Sequence, residues 1–458
     1  MRAAFHTFGC KLNQFETEAL ASAFRSQGFS LVDADEEAEV YLINTCTVTG
    51  KSEQKARRYI RGLARGRPEA LLVVTGCYAQ LEPGAIESLG SNVTVVSQSD
   101  KSLLLDLPRH LQEQGLGAVT LAGQAQAFLR DLPGRRARGS PDPFDFQVQR
   151  YSFHSRAFLK IQDGCDHRCA YCRVPLARGG SVSLDPELAV RRVRLLAEAG
   201  YREVVLTGVN ISAWRHGAGT PQPEAGLGRL LQRLLESTTG VRLRLSSLEP
   251  ETIKPALVEV LRHPRVCPHF HLPVQSGSDR LLAAMRRRYR AEQVRQAVVL
   301  LRDARPEPFL AADLIAGFPS ETEEDFRDSF ELAESLGFAK LHVFPFSPRP
   351  GTAAGRMGGR VPERVRDERV RALTGLSDRL ARAYRGSMVG REVEVVLEER
   401  RAGDSVWRGF SGNYLPCAVG GVPEGPGPSG SSPGRLVRAR IESDGDPCGA
   451  VFLGPEIG

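Results

Sequence analysis

No stretch of this 458-residue sequence approaches the ~18 apolar residues that a membrane-spanning helix requires. The first residues lead from Met1 into polar Lys11, Asn13 and Gln14, without the apolar segment of a secretory signal. We therefore expect a cytoplasmic protein that has no membrane partner. With 41% hydrophobic and 25% charged residues, the composition is that of a globular protein, and the length allows about three domains of roughly 150 residues.

Lysine is scarce in a chain that is nevertheless basic. Only seven of the 61 basic residues are lysine, so 54 are arginine, and the net charge is +7. A bias in codon usage would produce the same excess. Arginine is also the side chain best suited to bidentate phosphate contacts and to stacking on bases, so the positions where arginines cluster become informative.

Cysteine occurs nine times, an odd number that a closed set of disulfides cannot use completely. Disulfide frameworks are typical of small exported chains, and this chain is neither small nor of exported type. We therefore predict that some cysteines bind a metal or a metal cluster. The nine are Cys10, Cys46, Cys77, Cys165, Cys169, Cys172, Cys267, Cys417 and Cys448.

The first hundred residues repeat one pattern, a short apolar strand that ends at a cysteine. Helical patterns at Gln14–Gln27 and Ser52–Arg65 separate the strands, which indicates βαβ units and a parallel sheet. Open sheets of this kind bind ligands beyond the carboxyl ends of their strands, so the three cysteines predict a shared site. The strands are Ala3–Thr7 before Cys10, Val40–Asn44 before Cys46, and Leu71–Thr75 before Cys77.

Strand and helix patterns alternate again after a segment rich in turn-forming residues, 119–150, which we interpret as a linker. Six such units predict a parallel barrel or a partial one, with chemistry at the carboxyl ends of the strands. The predicted strands are Ala157–Gln162, Glu203–Thr207, Arg242–Ser246, His269–Val274, Ala311–Gly317 and Lys340–Phe346.

The end of the chain differs from both earlier parts. The stretch from Arg356 to Arg391 contains ten arginines against four acidic residues, and a solvated helix face is its ordinary interpretation. Short alternating segments follow and predict a small antiparallel β-barrel, a type that often binds single-stranded nucleic acid. These segments are Glu392–Glu398, Ser405–Phe410, Leu436–Ile441 and Ala450–Leu453.

The strongest local motif is a C-x₃-C-x₂-C pattern formed by Cys165, Cys169 and Cys172. Structural zinc sites use four ligands, usually as two pairs, and no paired fourth ligand follows. His167 lies inside the loop, where ligation would be cramped. Three thiolates suit a 4Fe–4S cluster that leaves one iron open, and that iron can bind S-adenosylmethionine. The aromatic ring of Tyr171 can then pack near the adenine.

Almost the whole chain resembles the radical S-adenosylmethionine methylthiotransferases. Beyond the cysteine motif, the resemblance rests on short segments at the ends of the predicted strands. They are Val174-Pro175, Arg178-Gly179, Leu206-Thr-Gly-Val-Asn210, Leu245-Ser-Ser-Leu-Glu-Pro250, His269-Phe-His-Leu-Pro-Val-Gln-Ser-Gly-Ser278, Gly317-Phe-Pro-Ser-Glu-Thr322 and His342-Val-Phe-Pro-Phe-Ser347.

This resemblance implies two 4Fe–4S clusters and S-adenosylmethionine as cofactors. Cys10, Cys46 and Cys77 would hold the second cluster, which delivers sulfur. It implies an α/β fold with four parts: a parallel-sheet domain at 1–118, the linker at 119–150, a partial (β/α)₆ radical-SAM core at 151–383 and a TRAM β-barrel at 384–455. The expected partners are tRNA and an electron donor such as a flavodoxin or ferredoxin, and no DNA.

Segments around the first two cysteines look like one branch of the family. Thr7-Phe-Gly-Cys-Lys-Leu-Asn-Gln14 and Asn44-Thr-Cys-Thr-Val-Thr49 resemble the branch that modifies N6-threonylcarbamoyladenosine beside the tRNA anticodon. The alternative substrate is N6-isopentenyladenosine in tRNA. A non-catalytic, metal-stabilised RNA-binding protein is the alternative from another functional class.

Other polar residues at the strand ends are either cofactor contacts or parts of the scaffold. Together with Tyr171, our candidates for binding S-adenosylmethionine are Gly208, Asn210, Ser246, Glu249 and Gln275. We interpret His269 and His271 as hydrogen-bonded structural histidines on one face of their strand. Cys267, Cys417 and Cys448 have no partners at ligand spacing, so we expect ordinary thiols there.

Overall fold

The computed structural model describes residues 1–113, 123, 127–128, 131, 142–215, 226–400, 403–423 and 434–455. The chain divides into two compact units. Unit 1 comprises Met1–Ser152, Asp163–His167 and Cys172–Ser181, and unit 2 comprises Phe153–Gln162, Arg168–Tyr171 and Val182–Gly458. Within the described residues, every helix is too short or too polar to cross a membrane. Most of the predicted linker at 119–150 lies outside the described residues, and the domain limits drawn from the sequence stay predictions.

Unit 1 is built on a five-stranded parallel sheet in the order β2-β1-β3-β4-β5. Strands β3 and β4 are buried along their whole length, as expected for a parallel sheet covered on both faces. The three predicted strands are confirmed, while the two three-residue edge strands are too short to leave a sequence pattern. The strands are β1 (Arg2–Thr7), β2 (Ser30–Val32), β3 (Val40–Thr45), β4 (Leu71–Gly76) and β5 (Val93–Val95).

The helices of unit 1 pack apolar side chains against this sheet. Ile60 of the second helix lies in one buried cluster with Leu72 and Tyr78. The side chain of Thr49 caps that helix by accepting a hydrogen bond from the Ser52 N–H at 3.1 Å. The helices are α1 (Lys11–Ser26), α2 (Gly50–Gly66), α3 (Cys77–Leu81), α4 (Pro83–Glu87), α5 (Leu107–Glu113) and α6 (Val174–Arg178).

Unit 2 contains two three-stranded parallel sheets, β10-β9-β6 and β11-β12-β13. The bridges Leu243–Val266 and Ser247–His271 connect the two sheets, which confirms the predicted six-stranded partial barrel. The strands are β6 (Ala157–Lys160), β9 (Glu203–Thr207), β10 (Arg242–Leu245), β11 (His269–Gln275), β12 (Phe309–Ala316) and β13 (Lys340–Pro345), with β7 (Gln162–Asp163) and β8 (Val182–Ser183) between the first two.

Amphipathic helices separate the barrel strands and cover one face of the sheets. Asp185 caps the first of them by accepting from the Leu188 N–H, and a capping box of Thr322 and Asp325 starts the helix that follows β12. The helices are α7 (Pro186–Glu198), α8 (Gly226–Ser237), α9 (Pro255–Leu261), α10 (Asp279–Ala284), α11 (Ala291–Ala304), α12 (Glu323–Leu336) and α13 (Glu363–Met388).

A closed five-stranded barrel ends the chain, in the order β14-β15-β16-β18-β17. Sequence analysis missed β16, and the pairing of β16 with β18 is parallel while the other pairs are antiparallel. The helix that precedes the barrel, α13, carries much of the arginine-rich stretch. The strands are β14 (Glu392–Glu399), β15 (Trp407–Ser411), β16 (Pro416–Gly420), β17 (Leu436–Ile441) and β18 (Cys448–Pro455).

Candidate metal centres

Three cysteines follow the neighbouring strands β1, β3 and β4 of unit 1. We call them the strand-end cysteines: Cys10, Cys46 and Cys77. Because these strands are parallel, their carboxyl ends meet at one edge of the sheet. Gly9 has φ +110°, and a Cβ there would lie 2.6 Å from the Cβ and 2.9 Å from the Sγ of Cys46. The absence of a side chain at Gly9 therefore lets two of the strand ends approach closely.

Burial keeps the Cys46 thiol at this edge protonated as long as no metal is bound. Burial, together with the neighbouring Cys10 and Cys77, raises the pKa of Cys46 to about 12. A metal-free Cys46 thus remains a thiol, and a metal that binds it displaces the proton. Three converging thiolates fit a 4Fe–4S cluster that leaves one iron open.

Arg178, at the end of α6, lies beside Cys77. Its Nε–H donates to the Cys77 Sγ at 3.3 Å, and Nη2 donates to the Asn13 Oδ1 at 2.8 Å. Nη1 contacts both carboxylate oxygens of Asp163 at 3.0 Å. Because the guanidinium is held on several sides, its hydrogen bond to the sulfur has a defined direction.

A second buried cation, Lys101, completes this charge cluster. The Glu16 carboxylate accepts from the Lys101 Nζ at 2.7 Å and from the Arg178 Nη1 at 2.9 Å. The Lys101 Nζ also donates to the Asn44 Oδ1 at 3.0 Å. With Asp163, the cluster contains two cations and two carboxylates, so buried charge is compensated before any thiolate forms.

A second group of three cysteines lies in the loop between β7 and α6. We call them the loop cysteines: Cys165, Cys169 and Cys172. The start of the loop is held within unit 1. Gly164 has φ +65°, and a Cβ there would lie 1.9 Å from the Gly180 carbonyl oxygen, while the Cys165 N–H donates to the Gly179 carbonyl at 3.0 Å. Only glycine therefore fits immediately before the first cysteine.

Hydrogen-bond donors also surround the loop sulfurs. Backbone N–H groups of His167 and Val174 donate to the sulfurs of Cys165 and Cys172, each at 3.4 Å. Within unit 2, the Arg287 Nη1 donates to the Cys169 Sγ at 3.1 Å. Donors of this kind stabilise thiolates and tune a bound cluster.

Glu249 and Tyr289 hold Arg287 in place. The Arg287 Nη2 forms an ion pair with Glu249, and its Nε donates to the Tyr289 hydroxyl at 3.0 Å. Burial raises the pKa of Glu249 to about 7, although the Arg287 charge opposes that rise. Glu249, predicted from the sequence as a cofactor contact, therefore forms an ion pair with Arg287, whose guanidinium donates to Cys169.

Two further candidates lie beyond strand β9. A Cβ at Gly208 would lie 2.8 Å from the Gln162 carbonyl oxygen, so the two backbones are in close contact. The Asn210 N–H donates to the Gln162 Oε1 at 2.7 Å. Among the described residues, the buried Asn210 Oδ1 has no hydrogen-bond partner, which is the state expected of an acceptor that serves a ligand.

The remaining candidates occupy the same end of the barrel strands. Ser246 follows β10, and its N–H donates to the Leu206 carbonyl at 3.1 Å. Gln275 ends β11, is buried, and has φ +66°, an uncommon conformation for a residue other than glycine. Tyr171 packs against the apolar cluster that includes Met285 and Phe318.

Sequence reasoning missed the charged partners of both cysteine groups. Arg178 belongs to a quoted motif without an assigned role, and Arg287 stands in a run of three arginines that singles out none of them. Lys101 and Glu16 are separated by 85 residues, so only the folded chain shows that they are partners.

The three remaining cysteines and the two histidines of β11 have structural contacts. Cys417 and Cys448 lie in the apolar core of the terminal barrel, and Cys267 is buried near Glu203. His269 is buried beside Phe309 and Tyr414. His271 is hydrogen-bonded through both ring nitrogens, to Ser247 and Asp313.

Two family models match the chain. Residues 2–97 match the family described as Uncharacterized protein family UPF0004, and residues 159–333 match the Radical SAM superfamily. The first match includes the strand-end cysteines and the second includes the loop cysteines.

Three relatives that match nearly the whole chain have the name threonylcarbamoyladenosine tRNA methylthiotransferase MtaB. The protein of this name from Treponema pallidum is 40% identical, with 96% of this chain and 98% of the relative covered. The one from Bacillus subtilis is 35% identical, with 97% and 94% covered. The one from Aquifex aeolicus is 36% identical, with 96% and 100% covered.

Among solved structures, the fold is similar to that of TsrM from Kitasatospora setae, a radical S-adenosylmethionine methyltransferase with cobalamin and a [4Fe-4S] cluster bound. The TM-score is 0.53 and 77% of each chain is covered, at 15% sequence identity. At this identity, the likeness shows the fold alone.

Proposed function

This chain belongs to the family of threonylcarbamoyladenosine tRNA methylthiotransferases, and we propose from this premise that it converts N6-threonylcarbamoyladenosine beside the tRNA anticodon to its 2-methylthio form. The observation that carries the proposal is the near-complete match, over 96% of this chain and 98% of the Treponema relative. The six cysteines and the hydrogen-bond donors around them support the same reaction on chemical grounds.

The two cysteine groups suit the cofactors that this reaction needs. The strand-end cysteines would hold one 4Fe–4S cluster and the loop cysteines would hold the other, because three thiolates suit a cluster of this type. When bound, the clusters and S-adenosylmethionine supply the sulfur, the methyl group and the 5′-deoxyadenosyl radical that opens an aromatic carbon–hydrogen bond.

In each cysteine group, one arginine donates a hydrogen bond to a cysteine sulfur. Arg178 donates to Cys77 and Arg287 donates to Cys169. An N–H donor stabilises the more negative, reduced state of a cluster held by that sulfur, so each arginine raises the reduction potential of its site. Carboxylates on the far side of each guanidinium keep this donor in position.

S-adenosylmethionine binds at the carboxyl ends of the barrel strands. Among the described residues, Asn210 offers a buried acceptor that has no hydrogen-bond partner there, and Gly208 allows the backbone of Gln162 to pack closely beside it. Ser246, Gln275 and Tyr171 complete the pocket wall, while Glu249 acts through its ion pair with Arg287.

The enzyme has two macromolecular partners in this proposal, its tRNA substrate and an electron donor. The tRNA contacts the terminal barrel and the exposed arginines of α13. A small redox protein such as a flavodoxin or ferredoxin supplies electrons, the reaction takes place in the cytoplasm, and DNA is not a partner.

Mass spectrometry of tRNA nucleosides from cells that lack the protein tests the function. We expect the 2-methylthio derivative of threonylcarbamoyladenosine to disappear, its precursor to accumulate, and the wild-type gene to restore the product. Loss of methylthiolated isopentenyladenosine instead would identify the alternative substrate.

Anaerobic reconstitution separates the enzyme from a binding module. The enzyme should bind about eight irons, four in each cluster, and cleave S-adenosylmethionine when reduced. A protein that binds zinc and cleaves none would be the metal-stabilised RNA-binding protein.

A further inference from the structure

One face of the β11-β12-β13 sheet carries polar side chains that neither cysteine group uses. His271, Asp313 and His342 lie on one face of these strands and are half-buried or exposed, whereas the residue that precedes each of them lies on the other face and is buried. Leu341 points the other way, and its N–H donates to Ser377 of α13 at 3.0 Å. The helices therefore cover the other face, and the polar side chains line the lumen of the partial barrel.

These side chains form a connected lumen row of Ser247, His271, Asp313 and His342. The Ser247 Oγ lies 2.7 Å from the His271 Nδ1, and the His271 Nε2 lies 2.7 Å from the Asp313 Oδ1. If the serine hydroxyl donates to Nδ1, then Nε2–H donates to the carboxylate, and one neutral tautomer satisfies both contacts. The His342 ring stands at 87° to that of His271, with centroids 5.3 Å apart.

The row has a defined place relative to the candidate cofactor residues of unit 2. Ser247 adjoins Ser246, and β11 continues from His271 to Gln275, four residues or roughly 13 Å along the strand. Between the row and the strand ends, Ile315 and Phe344 are register partners on the same face. A nucleobase inserted from the strand ends meets an apolar layer first and the polar row beneath it.

We propose that the lumen row binds the polar N6 substituent of the target adenosine and selects it over an apolar one. Asp313 accepts from a hydroxyl or urea N–H of the substituent, and His342, the exposed member, donates to its carboxylate. Ser247 and His271 are positioning residues that orient Asp313. This assignment rests on the proposed function, because it takes the threonylcarbamoyl group as the ligand.

The chemistry of the row explains the direction of selection. A threonylcarbamoyl group offers N–H and O–H donors together with carboxylate acceptors, and so can pair with both Asp313 and His342. An isopentenyl group offers a hydrogen bond to neither, so the contact with water that these two side chains lose on binding would not be replaced. A site built to hydrogen-bond a substrate rejects an analogue that lacks the partner group far more strongly than an apolar pocket rejects a polar one.

The test compares His342→Leu and Asp313→Asn with the wild-type holoenzyme on two tRNAs. One tRNA carries threonylcarbamoyladenosine and the other carries isopentenyladenosine at the same position. Each variant should lose roughly tenfold to a hundredfold in kcat/KM on the first tRNA, mainly through KM, and none on the second. His342→Gln, which keeps a donor, should recover part of the loss.

A matched control changes a histidine outside the row. His263→Leu, between α9 and β11, should leave the preference between the two tRNAs unchanged. Thermal unfolding and iron content of each variant show whether fold and clusters are retained. A wild-type preference for threonylcarbamoyladenosine that persists in both His342→Leu and Asp313→Asn would overturn this assignment alone. A wild-type enzyme that modifies only isopentenyladenosine would overturn the proposed function and this assignment with it.

Discussion

The two cysteine groups reach a similar chemical arrangement by different routes. The loop cysteines occupy eight consecutive residues, 165–172, whereas the strand-end cysteines come from three strands and span residues 10–77. Each group has a buried arginine that donates to one of its sulfurs, Arg178 at 3.3 Å and Arg287 at 3.1 Å. Each depends on a glycine at a point where no side chain fits, Gly9 in one case and Gly164 in the other.

The difference concerns what holds each arginine. Arg178 belongs to a buried cluster with two carboxylates and Lys101, while Arg287 forms an ion pair with one carboxylate of the described residues, Glu249. A ligand set assembled from distant strands depends on the tertiary structure for its geometry. A ligand set within one loop depends mainly on local backbone conformation.

The largest expected effect comes from the loop cysteines. Cys165→Ala, Cys169→Ala or Cys172→Ala should each abolish reductive cleavage of S-adenosylmethionine, because all three thiolates are needed to leave a single iron open. The strand-end cluster should still assemble. The measurements are 5′-deoxyadenosine formation and iron content, and formation of 5′-deoxyadenosine by any of the three variants would contradict the assignment.

The strand-end cysteines should respond differently. Cys10→Ala, Cys46→Ala or Cys77→Ala should leave 5′-deoxyadenosine formation in place and abolish the methylthio product, because sulfur delivery belongs to this group. Chromatography of reaction nucleosides, coupled to mass spectrometry, checks both products in one sample. Normal yields of methylthiolated nucleoside from these variants would show that the strand-end cysteines do not deliver the sulfur.

The two arginines should differ in their effect on stability. Arg178→Met removes the cation that contacts both of the buried carboxylates Glu16 and Asp163, which costs about 3–5 kcal/mol. Arg287→Met leaves Glu249, whose burial already raises its pKa to about 7, so this carboxyl takes up a proton and the loss is about 1–3 kcal/mol. Denaturant unfolding of both variants at neutral pH measures the difference, and equal losses would show that the two environments are equivalent.

Glu203 tests a buried ion cluster that contains no candidate cluster ligand. Burial alone would raise its pKa, but Arg244 and Arg242 outweigh burial and hold the pKa well below its usual range. A depressed pKa stabilises the fold fully above the unfolded-state value of about 4.3, and the contribution is lost as the pH falls below it. Glu203→Gln should therefore lower stability most near neutral pH, by about 3 kcal/mol, and less at pH 3.

Denaturant midpoints of wild type and Glu203→Gln across this pH range provide the measurement. Glu334→Gln is an exposed control, since Glu334 pairs with Arg379 at the surface and away from this cluster. A difference between wild type and Glu203→Gln that stays constant with pH would mean that the Glu203 charge does not contribute.

The smallest effect is expected at the exposed arginines of α13, which contrast with the two buried ones. Arg371→Gln and Arg382→Gln remove exposed charges, and each should make the slope of log affinity for tRNA against log salt shallower by about 0.7–0.9 if it contacts a phosphate. Arg364→Gln is a matched control, because Arg364 pairs with Glu368 one turn away. Filter binding over a salt series measures the slopes, and unchanged slopes would place the tRNA contact elsewhere.

Much of the fold could be predicted because each pattern is local. The strands β1, β3 and β4 are apolar runs bounded by polar breaks, and α1 and α2 have helical periodicity. The edge strands β2 and β5 could not be predicted, since three residues show no period. Strand β16 was missed because Pro416 and Gly420 at its ends are typical of a turn.

Local spacing by itself determined the loop cysteines, because a ligand set within eight residues needs little besides its own backbone. The recurrence of a cysteine after each of three strands also predicted that Cys10, Cys46 and Cys77 share an edge of the sheet. Only the tertiary structure decided which charges serve these sulfurs. Lys101, Glu16, Asp163 and Arg178 are far apart in the chain, and burial makes their mutual compensation necessary once they meet. The lumen row likewise forms only when strands β10 to β13 lie side by side. The register between these strands brings Ser247, His271 and Asp313 into contact, and no pattern within a single strand predicts it.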